Sequence, residues 1–201
     1  MKAGRPKKDP HTIETKEMIM DAAVNLIKSK GFANVTIKDI CDKSGITKSL
    51  FYYYYRSKND LFADFTNNSS RIIEHQLEQL LTLGSFTAKI KACINNYFLY
   101  AEKAGYEIVK QQYITQLEEN NMPGFPSTTR FYNTVTLLIE HAQKNGEIYN
   151  TSSPKELSAS LFHLSRGISF TWAMENGGFA LSEAGMNAID NLLMPKPGFD
   201  S

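Results

Sequence analysis

Thr36-Ile37-Lys38-Asp39-Ile40-Cys41-Asp42-Lys43-Ser44-Gly45-Ile46-Thr47-Lys48-Ser49-Leu50-Phe51-Tyr52-Tyr53-Tyr54-Tyr55-Arg56-Ser57-Lys58 reads as two short helices joined by a tight turn at Ser44-Gly45. Thr36 and Asp39 fit the Ser/Thr-x-x-Asp/Glu capping pattern, so a helix starts at about Ile37. Thr47 can cap the next helix, and Ser57 with Asp60 repeats the pattern for another. Three caps between Thr36 and Ser57 fit short helices with abrupt changes of direction; one long helix would not need them. The second helix is rich in hydroxyl, basic and aromatic side chains. That is the layout of a helix-turn-helix, in which the second helix enters the DNA major groove. Sequence-specific DNA binding is the implied function.

Outward from this stretch the period stays helical. A first helix spans about Thr12 to Lys30, with Ile19, Ala22, Ala23, Leu26 and Ile27 on one face and Gly31 as its stop. Residues 1–11 hold two prolines, a glycine and four cations; they cannot build a core and read as a disordered basic arm. After Ser57, Phe62, Phe65, Ile72, Ile73, Leu77, Leu80 and Leu81 mark a long amphipathic helix ending near Gly84. Further helices are expected over 86–104, 106–119, 127–144, 154–175 and 182–193, with a loop at Asn120-Asn121-Met122-Pro123-Gly124-Phe125-Pro126. No sustained β alternation occurs. The expected fold is all-α, with about nine helices: an N-terminal helix-turn-helix domain (12–57), a larger bundle (58–194) and a frayed tail (195–201).

Composition narrows the class. The 201 residues are enough for a sizeable core, and no apolar run approaches the ~20 residues needed to span a bilayer. Cys41 and Cys93 are too few for a disulfide framework, so a reducing, cytoplasmic setting with no membrane partner is expected. The net charge of +1 hides an asymmetry: residues 1–60 carry 12 Lys/Arg against 7 Asp/Glu, and the remainder 10 against 14. A basic end on an acidic body suits a polyanion partner. His11, His75, His141 and His163 lack partners at metal-ligand spacing, and no nucleophile elbow, phosphate loop or dinucleotide fingerprint is present. Neither a metal nor a cofactor is expected, and an enzyme on a helical bundle is a distant alternative.

These pieces, in this order, resemble the TetR/AcrR family of bacterial transcription regulators. The resemblance rests on Lys30-Gly31-Phe32, Val35 to Ile40, the turn Ser44-Gly45-Ile46, the segment Thr47 to Tyr55 where the family has its recognition helix, and Arg56 to Leu61. It covers about residues 12–65; Gly167 and Trp172 also look typical. Leu50 stands where the family often has a small or hydroxylic residue, and Tyr55 where it often has Phe. The resemblance implies a homodimeric regulator, most often a repressor, that binds an inverted-repeat operator in double-stranded DNA and is released by a small-molecule inducer. A ligand-independent DNA-binding protein of the same fold is the alternative.

Candidate DNA-binding residues follow. Thr36 caps a helix whose N-terminus can meet a phosphate. Thr47, Lys48 and Ser49 lie on or beside the first turn of the recognition helix, where base edges are read. Leu50 has one favourable partner in the major groove, the thymine methyl, or else packs on the first helix. Phe51 and Tyr55 are four apart and should pack inward, which turns the hydroxyls of Tyr52 and Tyr53 elsewhere, toward phosphates; Tyr54 should pack partly. Lys58, in the first turn of its helix, opposes the helix dipole unless an anion is near, and the resemblance implies a DNA phosphate. Arg5 and Lys7, around Gly4-Arg5-Pro6, could enter an A·T minor groove.

In the bundle most aromatics are core. The resemblance implies that some line an inducer site between helices, with Tyr97, Tyr113, Phe131, His163, Arg166 and Trp172 as candidates. It also implies a dimer interface from the last two helices, with Ser158, Ala159, Ser160 and Gly167 allowing close approach.

Overall fold

The computed structural model describes residues 10–61, 80, 82–118 and 130–199. Among these residues the elements are helical, apart from an isolated bridge between Ile148 and Pro195. The arm with Arg5 and Lys7, the apolar positions from Phe62 to Leu77, and the 120–126 loop lie outside the described residues. The chain forms two compact units, Met1–Phe65 and Thr66–Ser201.

In the first unit, α1 (Pro10–Lys30) is followed by a 3-10 turn (Phe32–Asn34), α2 (Ile37–Ser44), α3 (Lys48–Tyr54) and a helical stretch at 58–61. Proline suits the first turn of α1, where its missing N–H is not needed. Ile19, Ala23, Ile27, Val35, Ile40, Phe51 and Tyr55 form a buried core. Leu61 is fully buried and Lys58 bonds back to the turn before α2, so the 58–61 stretch groups with this unit, past the boundary expected after residue 57.

In the second unit, α4 (Phe86–Ala104) packs on α6 (Arg130–Lys144) and on α8 (Leu181–Leu193). The helix α7 (Pro154–Met174) packs on α8, on α6 and on α5 (Tyr106–Glu118). Their core gathers Ile90, Ile94, Phe98, Val135, Ile139, Leu157, Leu161, Trp172, Leu181 and Ile189. Long-range caps tie the helix ends. The buried Glu147 carboxylate accepts from the Thr87 N–H at 2.8 Å at the start of α4, and Glu102 accepts from the Ser182 N–H at 3.1 Å at the start of α8.

The tail departs from the frayed end expected of it. Tyr149 N–H donates to the Met194 carbonyl at 2.9 Å, Lys196 N–H to the Glu147 carbonyl at 2.8 Å, and Ser85 Oγ to the Phe199 carbonyl at 2.9 Å. Residues 195–199 therefore close the base of the bundle.

Candidate nucleic-acid interface

The turn between α2 and α3 is built by local chemistry. Thr36 Oγ1 accepts from the Asp39 N–H at 3.1 Å, and the Thr36 N–H donates to Asp39 Oδ2 at 2.8 Å, closing the capping box. The Thr36 hydroxyl proton also goes to Asp39 Oδ2, at 2.6 Å. These bonds hold the Asp39 carboxyl below its usual range. Gly45 ends α2 in the left-handed region (φ 71°), where a side chain would be strained. Thr47 then accepts from the Leu50 N–H at 3.2 Å and starts α3.

The seven residues of α3 divide by face. Phe51 and Tyr55, at its C-terminal end, are buried against the unit's core, with the Lys16 ammonium 4.9 Å from the Tyr55 ring centre. Lys48, Ser49, Leu50, Tyr52 and Tyr53 are exposed, and Tyr54 is half-buried. Tyr53 is 79% exposed and Tyr52 54%. An aromatic so exposed gives up most of a burial worth about 1.5–3 kcal/mol, and keeps only edge-on contacts, Tyr52 with Phe51 and Tyr53 with Tyr54. Leu50 is 37% exposed and does not lie buried against α1. One surface thus presents a cation, hydroxyls, an aliphatic chain and two phenols on a short helix anchored from behind.

Thr36 keeps the capping duty its sequence pattern marks, while Lys58 takes on one that its position conceals. The Thr36 hydroxyl is committed to Asp39, so any anion at this end of α2 would meet backbone N–H groups. The Lys58 ammonium donates to the Phe32 carbonyl at 2.6 Å and to the Val35 carbonyl at 2.9 Å, 4.0 Å from the Phe32 ring centre. Burial there lowers its pKa. Lys58 clasps the entrance of α2, and two of its three N–H groups are taken.

The candidates in the second unit separate into two groups. Tyr113, on α5, donates to the Arg166 carbonyl of α7 at 2.9 Å and meets the Phe170 ring edge-on at 5.4 Å. The Arg166 guanidinium lies 5.3 Å from the Tyr113 ring centre, and its Nη2 donates to Gln116 Oε1 at 2.7 Å. Burial, then the neighbouring Tyr97 of α4, pushes the Tyr113 pKa up. These residues come together. Phe131 instead packs edge-on against Phe162, and Trp172 is a buried core residue whose Nε1 donates to the Phe179 carbonyl at 3.0 Å. His163 is exposed. Gln116, Thr115 and Ser169 carry buried polar atoms without hydrogen-bond partners, and sequence reasoning missed all three. Ser158 is fully buried and bonded to Thr136 at 2.8 Å, which removes it from the expected subunit contact.

Against known proteins, residues 19–65 match the family described as bacterial regulatory proteins, tetR family. The chain is 36% identical over 64 residues to the HTH-type transcriptional regulator YvdT of Bacillus subtilis, covering 32% of this chain and 31% of that one. It is 32% identical over 66 residues to AcrR of Shigella flexneri, covering 32% and 31%. The matched part thus spans about a third of these relatives' length. Among solved structures, a TetR-family transcriptional regulator from Pectobacterium atrosepticum superposes with a TM-score of 0.67 at 17% identity, covering 93% of this chain and 96% of that one. FadR from Bacillus subtilis, in complex with stearoyl-CoA, gives 0.61 at 19% identity, covering 88% and 97%.

Proposed function

Through residues 19–65 the chain belongs to the TetR/AcrR family of bacterial regulatory proteins, and we propose that it is a dimeric, ligand-released repressor that reads an inverted repeat with α3. The observation that carries this is the split of α3 into a buried Phe51–Tyr55 anchor and an exposed Lys48, Ser49, Leu50, Tyr52 and Tyr53 surface. Lys48 is the cation for a guanine edge or a phosphate, Thr47 and Ser49 offer hydroxyls, and Tyr52 and Tyr53 donate to phosphates. The basic arm with Arg5 and Lys7 adds sequence-independent affinity.

Dimerisation is supported by the outer face of α7. Ser160, His163, Gly167, Phe170 and Met174 are exposed on one stripe, with Phe170 45% and Met174 55% accessible and open space around Gly167. A second copy would bury it by two-fold pairing. The outward residues of α8 at 183, 187 and 191 are polar and form the rim. Release by a small molecule is supported by the fold neighbour that holds stearoyl-CoA and by the buried polar cluster around Arg166.

The test is selection of duplexes from a random library by the full-length protein, with light scattering on the same sample. A palindromic motif with half-sites one helical turn apart and a dimer mass are expected. A monomer mass at micromolar concentration, or no enriched motif, rejects the reading.

A further inference from the structure

Two buried polar groups without partners lie on α5 and α7, the helix pair that the Arg166–Gln116 bond joins. The Arg166 Nη2–H to Gln116 Oε1 bond at 2.7 Å settles how the Gln116 amide is turned: oxygen toward the guanidinium, nitrogen away from it. The Gln116 side chain is 7% exposed, and its Nε2, with two N–H groups, has no partner. Ser169 lies one turn after Arg166 on α7, is fully buried, and its Oγ has no partner either. The adjoining Thr115 Oγ1 is a third orphan, 7% exposed. Buried polar atoms are nearly always paired, and each orphan costs about 1–3 kcal/mol of desolvation. Three of them on one helix pair call for an acceptor between the helices.

The inventory is donor-rich. Gln116 Nε2 can only donate, the two hydroxyls can donate, and Arg166 is a permanent cation. The flanks are aromatic: Tyr113 stacks under Arg166, and Phe170 meets Tyr113 edge-on. Arg166 is half-buried, so the cluster is not sealed from the bundle surface. The chemistry that satisfies such a set is an oxyanion at the end of an apolar body.

We propose that Arg166, Gln116 and Ser169 anchor the carboxylate of a small organic acid whose apolar part lies along Tyr113. This rests on the reading of the chain as a ligand-released regulator and gives that ligand its chemical class. The carboxylate accepts from the guanidinium and the Gln116 amide, and the Ser169 hydroxyl donates to its second oxygen. Orphans retained at a stability cost are what a preformed site for an absent acceptor requires.

The test uses the full-length protein, with no DNA, in thermal unfolding against benzoate, 3-phenylpropanoate and octanoate, each paired with its primary amide. At least one acid should raise the melting temperature by about 2 °C or more, and its amide should not. Ser169→Ala and Thr115→Val should melt up to about 2–4 °C higher than wild type without ligand, because each deletes an orphan. Ser169→Ala should also weaken the response to the acid at least threefold, and Arg166→Gln should abolish it. Equal shifts by acid and amide, no shift by any acid, or an undiminished response in Ser169→Ala and Arg166→Gln overturns the proposal. A wild type that selects an operator but answers no acid overturns the site and leaves the regulatory reading standing. A wild type that answers an acid but selects no duplex does the reverse.

Discussion

The Lys58 ammonium stands 2.9 Å from the carbonyl oxygen of Val35, the residue just before the cap of α2. With its 2.6 Å bond to Phe32, this fastens the 58–61 stretch to the entrance of the helix-turn-helix. Lys58→Met keeps the stem over the Phe32 ring but takes the donor from the Val35 carbonyl and leaves the Phe32 carbonyl only its 3.4 Å bond from the Val35 N–H. We expect a loss of about 1–3 kcal/mol in urea unfolding. Operator affinity should fall while its salt dependence hardly changes. A lysine that neutralised a phosphate would instead lower the slope by about 0.9 on removal, and that result would overturn the clasp as its principal role.

Phe51 and Tyr53 sit two residues apart on α3, yet one is fully buried and the other 79% exposed. Phe51→Ala should cost about 3–5 kcal/mol and unfold the first unit. Tyr53→Phe and Lys48→Ala should leave stability within about 0.5 kcal/mol and still weaken operator binding. Binding assays and denaturation on the same preparations separate the two effects. Full operator affinity in both surface variants would remove α3 from the interface.

The first unit was legible because its signals are local. Thr36 with Asp39, the left-handed Gly45, and Thr47 each act within four residues, and Phe51 with Tyr55 form an adjacent helical pair. Lys58 was not legible in the same way: its partner carbonyls lie 26 and 23 residues back, and nothing in its neighbourhood marks them. The same holds for the tail, where Pro195 and Lys196 look like loop residues until Glu147 and Ile148 come beside them. Tyr113 and Arg166 could be guessed as chemistry-bearing side chains. Gln116 and Ser169 look like ordinary helix surface, and only burial without partners gives them away.

Asp39 ties the stability of α2 to acid. In the fold its pKa lies below the ordinary 3.8, first because the Thr36 side chain and backbone donate to it, with Lys30 at 3.7 Å adding attraction. The unfolded chain therefore takes up the proton first as pH falls. The stabilising contribution is fully present above the unfolded value and is lost as pH drops through the lower folded one. The stability difference between wild type and Asp39→Asn should be constant from about pH 7 to 5 and shrink below about pH 4. A difference that instead grew on acidification would show that the Thr36 bonds do not favour the charged form.

Leu50 is apolar and 37% exposed on a helix otherwise presenting polar and phenolic groups. In the major groove its favourable neighbour is the C5-methyl of thymine. We expect one thymine in each operator half-site whose replacement by uracil, which deletes only that methyl, weakens binding by wild type and not by Leu50→Ala. Binding unchanged by every single thymine-to-uracil replacement would assign Leu50 no base.

Gly185 faces Phe98 so closely that a Cβ built at position 185 would fall within the aromatic ring. Gly185 is buried in the middle of α8, and Phe98 is fully buried on α4. By helix propensity alone, Gly185→Ala should stabilise α8 by about 1 kcal/mol. The ring is a rigid plane held by the bundle core, so it cannot fold away like a flexible chain end, and overpacking of this kind costs about 1–3 kcal/mol. The steric term should win, giving a net loss of stability in urea unfolding. Phe98→Leu removes the ring plane, so in that background Gly185→Ala should cost less than it does alone. A fully additive double mutant would mean that the close approach of α4 and α8 does not depend on the missing side chain.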